Sequence, residues 1–260
     1  MMRSLLILSL LALSLPSPLL AGAEVAPLRG IAIQAGGRTK PLDTFARETA
    51  RRVTGAKPFG FESVQKLEPT EWVLSMVASP DRWRTESIVK VTHAGLRGAA
   101  GLPADQDRYS FQELVSHEGF MGAVERVHGK LRADEELDPV ENELANLYDI
   151  LSVMNGIMSG EALRIVPHPG DIKATWYSIA DLNNPQVPQA QRVHALMSSL
   201  VTAYAAGDLP GVQTAGAGLA SRLANIAPEV YPAEKDLAME VHYNRSKPFR
   251  TAWLLSLIHI

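Results

Sequence analysis

Histidine is the residue type in this sequence best suited to chemistry, because imidazole titrates near neutral pH and binds transition metals. His117 and His128 are eleven residues apart, which would place both on one face of a continuous helix. Their separation along that helix would be about 16 Å, too far for one metal ion to bind both. We therefore expect solvated histidines on a helix surface at these two positions.

The other histidines are single side chains rather than clusters. His168 lies between two prolines, which could hold its ring rigidly towards a ligand, but a lone loop histidine is usually just exposed. We expect the same of His242. No histidine has a second ligand at metal-binding spacing. The histidines before the C-terminal apolar run are His93, His117, His128, His168, His194 and His242.

Carboxylates are concentrated just before a predicted helix. They are Asp134, Glu135, Glu136, Asp138 and Glu141. Negative charge is stabilised at a helix start by the helix dipole, so we interpret this cluster as a helix start rather than as paired catalytic acids. The sequence also lacks a His-Glu-x-x-His pair, a Gly-x-Ser-x-Gly nucleophile turn and a phosphate loop. We predict no catalytic residue and no metal ligand, and no cofactor-binding residue can be assigned.

Composition narrows the function classes further. Hydrophobic residues make up 46% of the chain and charged residues 20%, which is typical of a folded domain. A formal net charge of −3 gives no basic surplus, so nucleic acid is not an expected partner. Cysteine is absent, which excludes disulfides, thiolate metal sites, covalent haem attachment and a lipoprotein anchor.

The N-terminus has the pattern of a secretory signal peptide. Arg3 precedes an apolar run from Leu5 to Leu15, which is too short to span a bilayer. Ala21-Gly22-Ala23 then offers the small residues that signal peptidase requires. We predict cleavage before Glu24 and an extracytoplasmic location for the remainder.

Periodicity and capping signals predict a mainly helical domain with minor strands. Residues 30–37 predict a short β-hairpin that turns at two glycines, and Asp43 is expected to cap the helix that follows. Capping boxes begin at Ser110 and Asp138. The connector at residues 163–166 is either a brief strand or extended chain, and residues 167–188 form a proline-rich loop. The predicted helices span residues 43–53, 70–77, 110–131, 138–159, 190–206, 210–226 and 233–243.

Two further features concern packing rather than chemistry. The helices over residues 190–206 and 210–226 predict a helical hairpin similar to a tetratricopeptide unit, although no second copy is present. The tryptophans are scattered along the chain, and we expect them to be core or interface residues rather than platforms that stack on haem. They are Trp72, Trp83, Trp176 and Trp253.

Four stretches resemble one family, in order along the chain. The first runs from Ile33 to Glu48, and the second combines Glu71–Val73 with Pro80–Trp83. The third and fourth are Leu163–Pro167 and Glu240–Phe249. Together they resemble the extracytoplasmic region of the long bacterial cytochrome c biogenesis proteins, the cytochrome c assembly family of the two-component haem-export and ligation system.

This resemblance implies a domain that assists haem delivery and ligation without being catalytic itself. In that family haem is handled by a membrane bundle with a tryptophan-rich loop and histidine ligands, and those elements are not found in this sequence. Haem is therefore implied only for the full-length protein. The implied partners are apocytochrome c, a partner membrane assembly protein and the inner membrane. The histidines of this chain do not match the family's haem ligands.

The C-terminal residues suggest a membrane helix that has only begun. We expect an extracytoplasmic domain over residues 24–248 and the start of a truncated transmembrane helix over residues 249–260. The ten residues from Thr251 to Ile260 would reach about 15 Å as a helix, half of a hydrocarbon core of about 30 Å. The last six residues also resemble translated sequencing adapter, so the authentic sequence is expected to diverge near Leu255.

Two other classes of function remain open from the residues alone. A free periplasmic protein-binding module would use the helical hairpin at residues 189–226 to hold a partner. An exported hydrolase would need convergent polar groups in a cleft, for which the sequence offers no triad or metal spacing.

Overall fold

The computed structural model describes residues 25–55 and 67–246, and these residues are mainly helical. The predicted signal peptide at residues 1–23 and the predicted membrane segment at residues 249–260 lie outside the described residues. The strands are β1 (Ala32–Ala35), β2 (Arg38–Pro41), β3 (Val89–Lys90) and β4 (Arg108–Tyr109). The helices are α1 (Ala26–Arg29), α2 (Leu42–Thr54), α3 (Pro69–Ala78), α4 (Pro80–Thr85), α5 (Ala94–Ala100), α6 (Phe111–Ser116), α7 (Glu118–Arg132), α8 (Pro139–Ser159), α9 (Ala190–Ala206), α10 (Leu209–Ala224) and α11 (Glu234–Ser246).

The predicted N-terminal hairpin is confirmed. Strands β1 and β2 pair antiparallel, with Ala32 opposite Pro41 and Ala35 opposite Arg38. Gly36 and Gly37 form the turn with φ values of 62° and 78°, a left-handed conformation that favours glycine at both positions. The hairpin leads directly into α2, so the orientation of one element determines that of the other.

The prediction of one helix over residues 110–131 is wrong, because the chain bends at His117 into α6 and α7. His117 has an extended backbone (φ −84°, ψ 108°), and its Nδ1 accepts a hydrogen bond from the Phe120 amide, which caps α7. Gly119 then lies so close to α5 that an added Cβ would be 2.6 Å from the Ala100 carbonyl oxygen. The break allows α7 to pack closely on α5.

Helix α8 forms as predicted. Asp138 and Glu141 complete a capping box, and Gly160 ends the helix with a φ of 84°. The predicted apolar stripe is buried at Leu144, Leu147, Leu151, Met154 and Met158. Helix α8 contacts α2, α3, α5 and α7.

Replacing Leu151 by alanine is therefore expected to lower the free energy of unfolding by about 2–5 kcal/mol, because a fully buried leucine leaves a cavity. Urea denaturation followed by circular dichroism measures the change. Ser152→Ala alters the exposed neighbour on the same helix and serves as the control, with an expected change within about 0.5 kcal/mol. Equal effects of the two substitutions would contradict the burial of this stripe.

Helices α9 and α10 pack against each other as the predicted helical hairpin, with Gly207 between them at a φ of 68°. The connector at residues 163–166 makes one antiparallel bridge, from Val166 to Tyr177. Strands β3 and β4 form a second small sheet. The mainly α class with a short N-terminal hairpin and minor strands is thus confirmed.

Some short helices were absent from the sequence-based prediction. One of them is α4, which begins at Pro80 directly after the predicted helix over residues 70–77, because proline is well tolerated at the first position of a helix. Within residues 25–55 and 67–246, no helix combines the length and the hydropathy that are needed to cross a membrane.

Candidate functional site

The first and fourth of the stretches that carry the family resemblance meet in the structure. Helix α11 lies against β2 and α2, and the contact is polar. We call this contact the α2–α11 junction. Its residues are Arg38, Asp43, Thr44, Arg47, Glu240 and Asn244.

Asp43 is the buried charge of the junction. Its side chain is completely buried, and the Arg47 guanidinium donates two hydrogen bonds to its carboxylate, at 2.8 and 3.0 Å. The prediction that Asp43 caps α2 is wrong, because the N-cap residue is Pro41 and no side chain caps this end. The four-residue spacing of Asp43 and Arg47 was the sequence signal for their ion pair.

Thr44 joins the two helices through its hydroxyl group. The hydroxyl donates a hydrogen bond to Glu240 Oε1 at 2.8 Å and accepts one from the Asn244 side-chain amide at 2.7 Å. Arg38 adds a guanidinium contact to Glu240 Oε1 at 3.2 Å. These residues are separated by about 200 positions in the sequence, so the junction ties the two ends of the described domain together.

A second ion pair supports the hairpin side of the junction. The side chain of Lys40 on β2 is only 8% exposed, and its ammonium lies 2.5 Å from Glu48 Oε2 on α2. A buried lysine requires such a partner, because an isolated ammonium is costly to remove from water. The pair therefore fixes β2 against α2.

The second stretch forms an aromatic cluster in the core. Trp72 of α3 and Trp83 of α4 are fully buried and meet edge to face, with their ring centroids 6.0 Å apart and an interplanar angle of 87°. The Arg82 guanidinium lies 5.0 Å from the centre of the Trp83 ring. Trp176 is also buried, so the expectation of core tryptophans is confirmed for every tryptophan that the structure describes.

The third stretch contacts the first through Gln34. The Gln34 side chain accepts a hydrogen bond from the Trp176 amide at 2.8 Å and donates one to the Ala174 carbonyl oxygen at 3.0 Å. Its own backbone amide donates to the Arg164 carbonyl oxygen at 3.0 Å. Gln34 thereby fastens the 163–177 segment to strand β1.

Glu71, which begins the second stretch, is completely buried on α3. Its carboxylate lies near the phenol of Tyr204 on α9. Burial, together with the nearby Glu71 charge, raises the pKa of Tyr204 to about 12. This contact links α9 to α3.

The free energy of unfolding is expected to depend on pH through Tyr204. Because its pKa is raised in the folded state, the protonated phenol stabilises the fold, and that contribution is lost as the pH rises from about 10 to about 12. We expect Tyr204→Phe to reduce the loss of stability across this range, measured by urea denaturation at a series of pH values. Tyr243→Phe changes an exposed tyrosine and should leave the slope as in the wild type. An unchanged slope in Tyr204→Phe would refute the assignment.

The histidines have separate structural positions. His93 and His117 cap α5 and α7 by accepting backbone amide hydrogen bonds, and His128 packs edge-on against Tyr148 at 4.8 Å. His168 stacks on Tyr177, with a centroid distance of 5.4 Å. The expectation of solvated side chains at His117 and His128 is wrong, because both are half-buried. His194 and His242 are exposed on α9 and α11.

The acidic cluster marks a helix start, as expected. Asp138 caps α8, and the Glu141 carboxylate lies 2.6 Å from the Lys130 ammonium on α7. The hydrogen bond from the Lys130 ammonium lowers the pKa of Glu141. In the part of the chain that the structure describes, no group of three or more ligand side chains could hold a metal ion.

A small apolar cavity of about 30 Å³ lies between α3, α9 and α10, lined by residues such as Val73, Leu200 and Leu219. Pockets for cofactors and metabolites are about 300–1,000 Å³. This cavity does not fit haem. In the α2–α11 junction, the carboxylates accept hydrogen bonds from donors of the protein itself. The bonds to Glu240 join α11 to β2 and α2.

Comparison with known proteins gives no further assignment. No protein-family model matches the chain, and no curated protein matches it.

Proposed function

We propose that this chain contributes the extracytoplasmic domain of a bacterial cytochrome c biogenesis protein. The domain assists haem delivery and ligation to apocytochrome c at the membrane surface and is not catalytic itself. The membrane part of the full-length protein supplies the haem-handling residues. The partners are apocytochrome c and a membrane assembly protein.

One observation carries this proposal. The four stretches that resemble the family, which are dispersed between residues 33 and 249, supply contacts that join separate elements of the described domain. The first and fourth meet at the α2–α11 junction through Thr44 and Glu240. The first and third meet where the Gln34 backbone amide donates to the Arg164 carbonyl oxygen, and the second supplies the Trp72–Trp83 pair. Contacts that join separate elements of a fold are expected to persist in a family, and these contacts lie within the stretches, which supports the resemblance.

The place of α11 in the chain also supports a connection between this domain and a membrane part of the protein. Helix α11 is the last described element, and the residues after it include Phe249, Trp253 and the basic Lys247 and Arg250. Aromatic and basic residues of this kind are typical of the headgroup boundary of a membrane. In this proposal, α11 connects the domain to the membrane part of the protein.

The α9–α10 hairpin supports an alternative, a free periplasmic protein-binding module. However, both helices direct apolar residues into the domain. On α9 these include Val193 and Leu200, and on α10 they include Leu219 and Leu223. The hairpin therefore serves the core, which favours the first proposal.

Cell fractionation distinguishes the two proposals. An antibody against residues 25–246 is used to locate the native gene product in the source organism. We expect the product in the membrane fraction and expect protease added to spheroplasts to degrade this domain, while a cytoplasmic marker stays intact. Release of the product with the soluble periplasmic fraction would favour the binding module, and protection from protease would contradict export.

A further inference from the structure

Helix α11 is attached to the domain with little apolar packing. Among its thirteen described residues, Leu237 alone is buried, whereas α8 buries a full apolar stripe. Leu237 belongs to a small cluster with Ala32, Trp176, Ala227 and Val230, which is separate from the main core. Hydrophobic burial is the dominant stabilising contribution in most helix packing, so α11 depends unusually strongly on its polar contacts.

Those polar contacts are partly accessible to solvent. The side chains of Arg38 and Glu240 are 50% and 33% exposed. Exposed charge pairs are weakened by salt and contribute little in isolation. The Thr44 and Asn244 contacts are short hydrogen bonds that water can replace.

The groups that α11 contacts on β2 and α2 have other partners. Asp43 accepts two hydrogen bonds from Arg47, which lies on the same helix, so these bonds do not require α11. Arg38 also lies 3.9 Å from Glu48 on α2. Release of α11 therefore leaves no buried charge without a counter-ion, and the large penalty for such a charge does not apply.

The chain is held firmly just before α11. The Tyr231 ring stacks on Trp176 with a centroid distance of 5.7 Å, and the Tyr231 hydroxyl accepts a hydrogen bond from the Ala32 amide at 2.8 Å. Pro232 follows directly. A stable attachment at Tyr231 next to a weakly packed helix defines where a hinge would lie.

We propose that α11 is a releasable helix. It undocks from β2 and α2 as a unit about residues 232–233, while the rest of the domain stays folded. The docked and released states differ in the position of α11 relative to β2 and α2. The α2–α11 junction is the switch, and its charges set the balance between the two states. This inference is independent of the proposed function.

Native-state hydrogen exchange tests the proposal on the whole chain. Amides of α11 are expected to exchange through a local opening, faster than those of α8. Raising NaCl from about 0.05 M to about 0.5 M should accelerate exchange in α11 and leave α8 unchanged. Glu240→Gln removes the charge that Arg38 and Thr44 contact and should accelerate α11 exchange about tenfold.

Two further variants test whether the acceleration is specific to the α2–α11 junction. Thr44→Val removes the bridging hydroxyl from the α2 side and should produce the same selective acceleration. Glu143→Gln makes the same charge change on the exposed face of α8 and should leave α11 unaffected. The proposal is overturned if α11 and α8 exchange at the same rate, or if Glu240→Gln accelerates both helices equally.

Discussion

Replacing Trp72 by alanine is expected to lower the free energy of unfolding by about 3–5 kcal/mol. Trp72 and Trp83 are both fully buried and in edge-to-face contact, so the substitution leaves a cavity and removes the aromatic pair. Urea denaturation followed by tryptophan fluorescence and circular dichroism measures the change.

Ile172→Ala is the control for this substitution. The Ile172 side chain is 73% exposed, so its truncation should change the free energy of unfolding by less than about 0.5 kcal/mol. A loss below about 1 kcal/mol for Trp72→Ala would show that the tryptophan pair does not hold α3 and α4 together.

Replacing Arg47 by alanine is expected to lower the free energy of unfolding by about 3 kcal/mol, because it deprives a completely buried carboxylate of its counter-ion. Chemical denaturation at neutral pH gives the value. Arg51→Ala removes an exposed arginine one turn further along the same helix and is the matched control, with a small expected effect.

A double variant isolates the charge effect. Changing Asp43 to asparagine in the Arg47→Ala background removes the unpaired charge and should restore at least about 1 kcal/mol of the lost stability. If the double variant is less stable than Arg47→Ala alone, the buried charge is not the cause of the loss.

The local elements could be predicted because their signals lie close together in sequence. The capping boxes at Ser110 and Asp138 both form, and Gly160 and Gly207 end their helices in the left-handed conformation. Each of these signals spans only a few residues. They therefore do not depend on contacts with distant parts of the chain.

The errors arose where a residue has two possible local roles. Asp43 is a good cap by residue type, but the Arg47 side chain four residues later binds it more effectively. His117 was interpreted as a residue inside a helix, whereas its imidazole caps α7 in place of the usual serine or aspartate. Pro80 both follows one helix and begins the next.

The α2–α11 junction could not be predicted from spacing. Thr44 contacts Glu240 across 196 positions, and no periodicity in one sequence relates residues so far apart. The resemblance did identify both stretches, but as separate segments. Only the fold shows that they are in contact.

The level of c-type cytochromes in a deletion strain tests the proposed function most directly. Codons 25–246 are removed in frame from the chromosomal gene of the source organism, and covalently bound haem is detected in its membranes by peroxidase staining after denaturing electrophoresis. We predict that the c-type cytochromes are lost, that haem proteins without covalent attachment keep their wild-type levels, and that a plasmid copy of the intact gene restores the cytochromes. Wild-type levels of c-type cytochromes in the deletion strain would contradict the assignment to cytochrome c biogenesis.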